Sequence, residues 1–450
     1  MGSLFGTDGV RGIANLDLTA ELAFKLGRAG SYILAQQNPA GRPRILVGKD
    51  TRISGDMLES ALIAGICSTG ADVLTAGIVP TPAVAYLTEK YQANCGIVIS
   101  ASHNPVEDNG IKFFGPAGYK LPDEIEDRIE DLVCRGTDSL SRPQGADVGR
   151  VYNIEAANER YLQYLCSCCG QGMNLRGMTV VVDCANGAAY HVGPELWQCM
   201  GARVISIGDK PNGININDRC GSTHTESLKK AVRHYNADIG IAYDGDADRC
   251  IAIDEKGNEL DGDYIMLICA LDMHRQNLLR PASVVATVMS NIGFEIALRR
   301  ENVRVDSCKV GDRYVLEKML ETGALLGGEQ SGHIIFKQYA NTGDGLLTSL
   351  KLVEVMKRTG LTLSELGREM EKYPQLLVNV SIENKEAVLN HELVRAALAN
   401  AESRLGEWGK LVVRPSGTEP LVRLMAQGPD HYLLKEVIDD IKKAVEQVAY

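Results

Sequence analysis

The sequence predicts an α/β protein in which three related α/β units are followed by a C-terminal α+β unit. Three observations carry this expectation. Short apolar, β-rich runs alternate with helix-like stretches, which is how layered sheets and helices are written in a sequence. The alternation recurs three times with the same internal order, as duplicated units do. After Tyr373-Pro374 the order changes, so the tail is a unit of another kind.

Each repeat opens on a buried strand that ends in polar residues: 44–50 (RILVGKD), 179–186 (TVVVDCAN) and 283–291 (SVVATVMSN). A helical stretch follows, then a second strand at 72–76, 203–207 and 303–307, and later a third at 96–100, 239–243 and 324–326. Each third strand runs straight into a polar loop rich in Gly, Asp or Ser. Open α/β sheets bind ligands beyond the carboxyl ends of their strands, so these three loops are the first places to look for chemistry. The tail reads as strands near 376–382, 410–413 and 421–426 and a last helix over about 432–448. Residues 135–150 (RGTDSLSRPQGADVGR) are polar and rich in Pro, Gly and Ser, as a boundary would be. The expected domains are 1–153, 154–255, 256–370 and 371–450.

At 450 residues the chain is long enough for several cores. Its 47 basic and 58 acidic side chains give a net charge of −11, which repels phosphate backbones and argues against nucleic acid as a partner. An anionic ligand must then be held by local basic pockets. The longest uncharged, mostly apolar stretch, 73–88, is short and broken by Pro80 and Pro82, so no membrane span is expected. With no secretory signal visible, the expected compartment is the cytoplasm and the twelve cysteines are expected to be thiols. Cys166, Cys168 and Cys169 lack the paired spacing of a metal cluster.

Four constellations could carry chemistry. Ser100-Ala101-Ser102-His103-Asn104-Pro105 presents a hydroxyl on a loop after a strand, where Ser102 could be a nucleophile or phosphate carrier, or part of an ordinary turn before Pro105. Asp244-Gly245-Asp246-Ala247-Asp248-Arg249 sets three carboxylates at alternate positions. They can converge only if something neutralises them, as a hard cation such as Mg²⁺ does; the alternative is a solvated acidic turn. The EF-hand alternative fails because Arg249 occupies the position that needs Gly. Gly327-Gly328-Glu329-Gln330-Ser331-Gly332-His333 combines a close-approach loop with groups suited to sugar hydroxyls and a His that could move a proton, or is a structural glycine loop. Arg414-Pro415-Ser416-Gly417-Thr418-Glu419-Pro420, with Arg423 beyond, has the makings of an anion nest, or of an ordinary turn. Arg11, in Gly6-Thr7-Asp8-Gly9-Val10-Arg11-Gly12, and Lys120 add cations. An oxygen nucleophile, a metal, cationic clamps and a proton carrier are the parts of phosphoryl transfer. No nucleotide-binding glycine motif is present, so the donor need not be ATP.

Taken together, FGTDGVRG, SASHNP, DGDADR, GGEQSGH and RPSGTEP, in that order over the whole length, resemble the α-D-phosphohexomutases. The resemblance implies three alike α/β domains with mixed sheets and a different fourth domain around a central cleft. It implies that Ser102 carries the phosphoryl group and is a ligand, with Asp244, Asp246 and Asp248, of one Mg²⁺. Glu329 and Ser331 would bind sugar hydroxyls. Arg414, Ser416, Gly417, Thr418 and Arg423 would grip the phosphate that is not transferred. Arg11, Lys120 and Arg249 would be active-site cations, with His333 or Lys120 moving the proton. Gln330 and Val310-Gly311-Asp312-Arg313-Tyr314-Val315 resemble the glucosamine branch. The implied reaction interconverts glucosamine 6-phosphate and glucosamine 1-phosphate through a sugar 1,6-bisphosphate such as glucosamine 1,6-bisphosphate, toward UDP-N-acetylglucosamine. A mannose- or glucose-phosphate mutase and a metal-dependent sugar-phosphate phosphatase are the alternatives. The expected partner is a small hexosamine phosphate, and a homodimer is left open.

Overall fold

The computed structural model describes residues 4–6, 8–35, 41–137, 140–170, 173–382, 384–415 and 421–449. Within these, four sheets follow one another along the chain. The first comprises β1 (Val10–Ile13), β2 (Arg44–Lys49), β3 (Asp72–Ile78), β4 (Cys95–Ile99), β5 (Asp108–Phe114) and β6 (Val151–Asn153), in the order β1-β5-β4-β2-β3-β6. The second comprises β7 (Thr179–Asp183), β8 (Arg203–Ile207), β9 (Ile239–Tyr243), β10 (Cys250–Asp254) and β11 (Glu259–Leu260), ordered β11-β10-β9-β7-β8. The third comprises β12 (Ser283–Thr287), β13 (Arg304–Cys308), β14 (Leu326–Gly328) and β15 (Ile334–Phe336), ordered β13-β12-β14-β15. The fourth comprises β16 (Gln375–Ser381), β17 (Lys410–Pro415) and β18 (Leu421–Gln427), all antiparallel.

The repeat predicted from sequence is a repeat of topology. In each of the first three sheets the unit's opening strand is flanked on both sides by parallel neighbours: β2 by β3 and β4, β7 by β8 and β9, β12 by β13 and β14. A further strand then returns antiparallel to the third: β5 on β4, β10 on β9, β15 on β14. The sheets are therefore mixed, as the resemblance implies. The central strands read as continuous apolar runs because both their faces are buried. Each special loop is the turn of the hairpin that follows the unit's third strand.

Two local readings change. The third strand of the third unit lies at Leu326–Gly328, not 324–326. Gly327 and Gly328 belong to it because Met319 on one side and His333-Ile334 on the other leave no room for side chains. Residues 144–150 do not hang free: Gly149 N–H donates to Cys67 O (3.0 Å) and Val73 N–H to Arg150 O (2.8 Å), lacing the segment to the first sheet.

One apolar core runs through the first three units, including Leu46, Val98, Tyr161, Trp197, Leu267, Phe294 and Leu350. The fourth unit has a core of its own around Val394, Val422, Leu424, Leu434 and Ile441. It is joined to the third by a few polar bonds. Asn291 Nδ2 donates to Tyr373 O (3.0 Å), Tyr373 N–H to Asn291 Oδ1 (3.0 Å), and Ile292 N–H to the buried Gln427 Oε1 (2.7 Å). No helix among the described residues is long and apolar enough to cross a membrane.

Candidate active site

The first hairpin sets Ser102 in an unusual backbone state. Its φ is +52°, a left-handed conformation that costs a serine about 1 kcal/mol or more. Buried polar bonds hold it there. Ser102 N–H donates to Ser100 Oγ (3.0 Å), and Ser100 Oγ donates to Asp50 Oδ2 (2.6 Å). Arg52, 2% exposed, donates to Ser102 O (3.0 Å), Asn104 O (2.8 Å) and Asp108 O (3.0 Å), and is paired with Asp50 (3.0 Å). Asn217 Nδ2 donates to Ser102 O (2.9 Å) and Asn104 O (3.0 Å). The loop is thus clamped by side chains from two units.

The second hairpin meets the first directly. Ser102 Oγ donates to Asp244 Oδ2 at 2.6 Å. Gly245 is required at this approach, since a Cβ there would lie 2.5 Å from Ser102 O. Asp244, Asp246 and Asp248 are all buried, and each can offer an oxygen within 4.8 Å of the others. Asp246 Oδ2 accepts from Thr81 Oγ1 (2.7 Å) and Lys112 Nζ (3.0 Å), while Oδ1 of Asp246 and Oδ1 of Asp248 are buried without a donor. Burial, then the Asp248 and Asp246 charges, drive the Asp244 pKa well up. Three carboxylates so placed are stable together only beside positive charge. An all-oxygen set with orphaned acceptors fits a hard divalent cation, with Ser102 Oγ at its edge.

The third hairpin closes over the second. Cys250 N–H donates to Gly332 O (3.0 Å), and Arg249 pairs with His333 in an isolated bridge. His333 is 3% exposed. Gly343 N–H donates to its Nε2 (3.1 Å), which places the ring proton on Nδ1, 3.4 Å from Asp248 Oδ2. Burial lowers its pKa, but the Asp248, Asp312 and Glu329 charges outweigh it and the net direction is up. The Gly343 donor nevertheless favours the neutral ring, and a cation on Asp248 would remove the main upward pull. Glu329 Oε1 accepts from Gly311 N–H (3.1 Å), and Ser331 is exposed. Gln330 and Ser331 line a cleft of about 800 Å³ together with Arg249, Asp261, Lys372 and Tyr373.

Cations surround these loops. Asp8 takes Arg11, Lys120 and, at 3.0 Å, Lys112. Lys120 also pairs with Asp312 of the third unit. Burial opposes ionisation of Asp8, and Lys112, Lys120 and Arg11 overcome it, holding the carboxyl well below its usual range. Burial likewise lowers Lys120, but Asp312 and Asp8 raise it further, so it stays charged. His103 Nδ1 lies 3.4 Å from Ser102 Oγ, and burial with Arg249 and Arg11 pushes its pKa down to about 4.

The structure therefore brings together Ser102, the three aspartates, Arg249, His333, Arg11 and Lys120, with Glu329 and Ser331 on the adjoining hairpin. Arg414 and Arg423 face each other across β17 and β18. Burial and then Arg423 lower the Arg414 pKa, as two neighbouring like charges do. Ser416, Gly417 and Thr418 lie outside the described residues. Sequence reasoning missed Asp8, Asp50, Arg52, Lys112, Asn217 and Asp312. Lys112 left a signal, a lone charge inside the apolar run of β5.

Four models of the phosphoglucomutase/phosphomannomutase family match in order: alpha/beta/alpha domain I over residues 2–139, domain II over 159–257, domain III over 261–373, and the C-terminal domain over 377–444. The chain is 72% identical over 447 residues to a phosphoglucosamine mutase of Syntrophomonas wolfei, covering 99% of each. It is 54% identical over 448 residues to a phosphoglucosamine mutase of Pelotomaculum thermopropionicum, covering 100% of each. Among solved structures, a phosphoglucomutase/phosphomannomutase family protein of Burkholderia thailandensis matches with TM-score 0.82 at 24% identity, over 99% of this chain and 97% of that one. N-acetylphosphoglucosamine mutase of Aspergillus fumigatus, solved with GlcNAc-6P and magnesium, matches with TM-score 0.71 at 18% identity, over 99% and 96%.

Proposed function

The chain belongs to the phosphoglucomutase/phosphomannomutase family, and within it we propose a phosphoglucosamine mutase that interconverts glucosamine 6-phosphate and glucosamine 1-phosphate. The observation that carries the chemistry is the 2.6 Å bond from Ser102 Oγ to Asp244, at the edge of a buried acidic triad. The full-length identity to enzymes of that name carries the substrate.

In the proposed cycle Ser102 carries a phosphoryl group. The free hydroxyl of glucosamine 6-phosphate attacks phosphorus, the bond to Ser102 Oγ breaks, and a 1,6-bisphosphate forms. The sugar's proton is returned to Ser102 Oγ, so the step balances. The bisphosphate then turns end for end, and its other phosphate passes back to Ser102. Mg²⁺ on Asp244, Asp246 and Asp248 would offset charge on the phosphoryl group. Arg11, Lys112 and Arg249 add fixed positive charge around the same point. Lys120, between Asp8 and Asp312, and His333, whose ring nitrogens face Gly343 and Asp248, are the two groups placed to move the proton. Glu329 and Ser331 bind sugar hydroxyls, and Arg414 with Arg423 and the 416–418 segment hold the resting phosphate. The twelve free thiols suit a reducing cytoplasm.

The test is a product assay on glucosamine 6-phosphate. Ser102→Ala should abolish isomerisation with the fold intact by circular dichroism, whereas wild-type turnover in that variant would refute the cycle. Faster conversion of mannose or glucose phosphates would move the protein to a sister activity, and release of free phosphate at the turnover rate would make it a phosphatase.

A further inference from the structure

Asp261 does more than cap a helix. Its Oδ1 accepts from Asp263 N–H (3.2 Å) and Tyr264 N–H (3.4 Å), as the first side chain before helix Gly262–Arg275 should. Its other oxygen serves two partners outside that helix. Oδ2 accepts from Lys372 Nζ (2.6 Å), where the chain leaves for the fourth domain, and from Gln330 Nε2 (3.3 Å) on the third hairpin. The helix start is pressed onto the same hairpin: Gly262 N–H donates to Gln330 O (3.0 Å), and a Cβ on Gly262 would stand 2.1 Å from Glu329 O. Asp261 is 7% exposed and, with Gln330, lines the cleft of about 800 Å³.

A carboxylate only accepts, so it fixes which end of the Gln330 amide faces it. The NH₂ group must point to Asp261, and the carbonyl oxygen is the end left over. Among the described residues no donor is bonded to that oxygen. We propose that Asp261 is a positioning residue, which turns the Gln330 amide so that its oxygen receives the ammonium at C2 of the amino sugar. This rests on the glucosamine-phosphate reading above. An ammonium has donors and no acceptor, so the opposite amide orientation would repel it. A hydrogen bond to a charged donor is about twice as strong as one to a neutral hydroxyl, so the arrangement separates an amino sugar from its 2-hydroxyl analogue.

The test compares calorimetric dissociation constants for glucosamine 6-phosphate and glucose 6-phosphate. Asp261→Asn keeps a good helix cap but no longer dictates the amide's orientation. It should lower the preference for the amino sugar about tenfold, and Gln330→Met should do the same. In turnover the loss should fall on KM rather than kcat, because C2 is not the reacting centre. The double variant should lose no more preference than Gln330→Met alone, which a merely structural role for Asp261 would not produce. An unchanged preference in either single variant, or additive losses in the double one, would overturn the inference. Wild-type protein inert in the product assay on glucosamine 6-phosphate would instead overturn the functional reading beneath it.

Discussion

Ser102 shows at the scale of one residue how the site is made: a hydroxyl kept in a conformation serine seldom adopts, by side chains that do no chemistry themselves. Arg52 is chief among them. Its planar fork reaches several carbonyls at once, which a lysine cannot imitate. Arg52→Lys should cost about 2–3 kcal/mol of stability and lower kcat at least about tenfold; denaturation midpoints and initial rates check both. Ser102 and the aspartates were legible because they stand together in short motifs. Arg52, Asn217 and Lys112 were not, because their partners lie 50, 115 and 134 positions away in the chain. Glu126 gives a pH test. Burial raises its pKa, Arg313 lowers it, Asp123 raises it again, and the result is about 7. An unfolded glutamate titrates near about 4.3. Between those values the folded state binds more protons than the unfolded one, so this group's contribution falls as pH rises and is flat above about 7. The urea midpoint at pH 8 minus that at pH 5 should therefore be more positive in Glu126→Gln than in the parent, and an equal difference would contradict this.

Among elements, the recurring device is a hairpin at the carboxyl end of the third strand in each unit. The sequence revealed the third strands and the loops after them, but not that β5, β10 and β15 return antiparallel beside them. That pairing is long-range and leaves little periodic trace in short, wholly buried strands. The hairpins meet backbone to backbone, so small changes at their tips should be felt by their neighbours. Gly245→Ala would drive a Cβ against Ser102 O. Its expected effect is loss of at least about 90% of activity with a modest fall in melting temperature, checked by kinetics beside thermal denaturation. Full activity in that variant would mean that the hairpins need not touch. The short strand β14 was misplaced for a similar reason, since its two glycines read as loop while their neighbours force them into the sheet.

For the whole molecule, three units share one core while the fourth keeps its own and hangs on Asn291, Tyr373 and Gln427. Interfaces this polar allow a domain to move. Hydrogen exchange should show residues 375–382, 384–415 and 421–449 opening more readily than the central strands, and slowing when a sugar phosphate is bound; exchange unaffected by ligand would speak against closure. The buried triad predicts that EDTA removes activity and that Mg²⁺ restores it. The change of fold after Tyr373 was visible in the altered order of elements, but nothing in the sequence fixes how far the arginines of β17 and β18 stand from Ser102. The most direct measurement of the central claim is the mass of the peptide holding Ser102, taken after incubation with glucosamine 1,6-bisphosphate and again after a chase with glucosamine 6-phosphate. The account predicts one phosphoryl group on Ser102 that the chase removes. A turning-over enzyme that never carries phosphate on that peptide would contradict it.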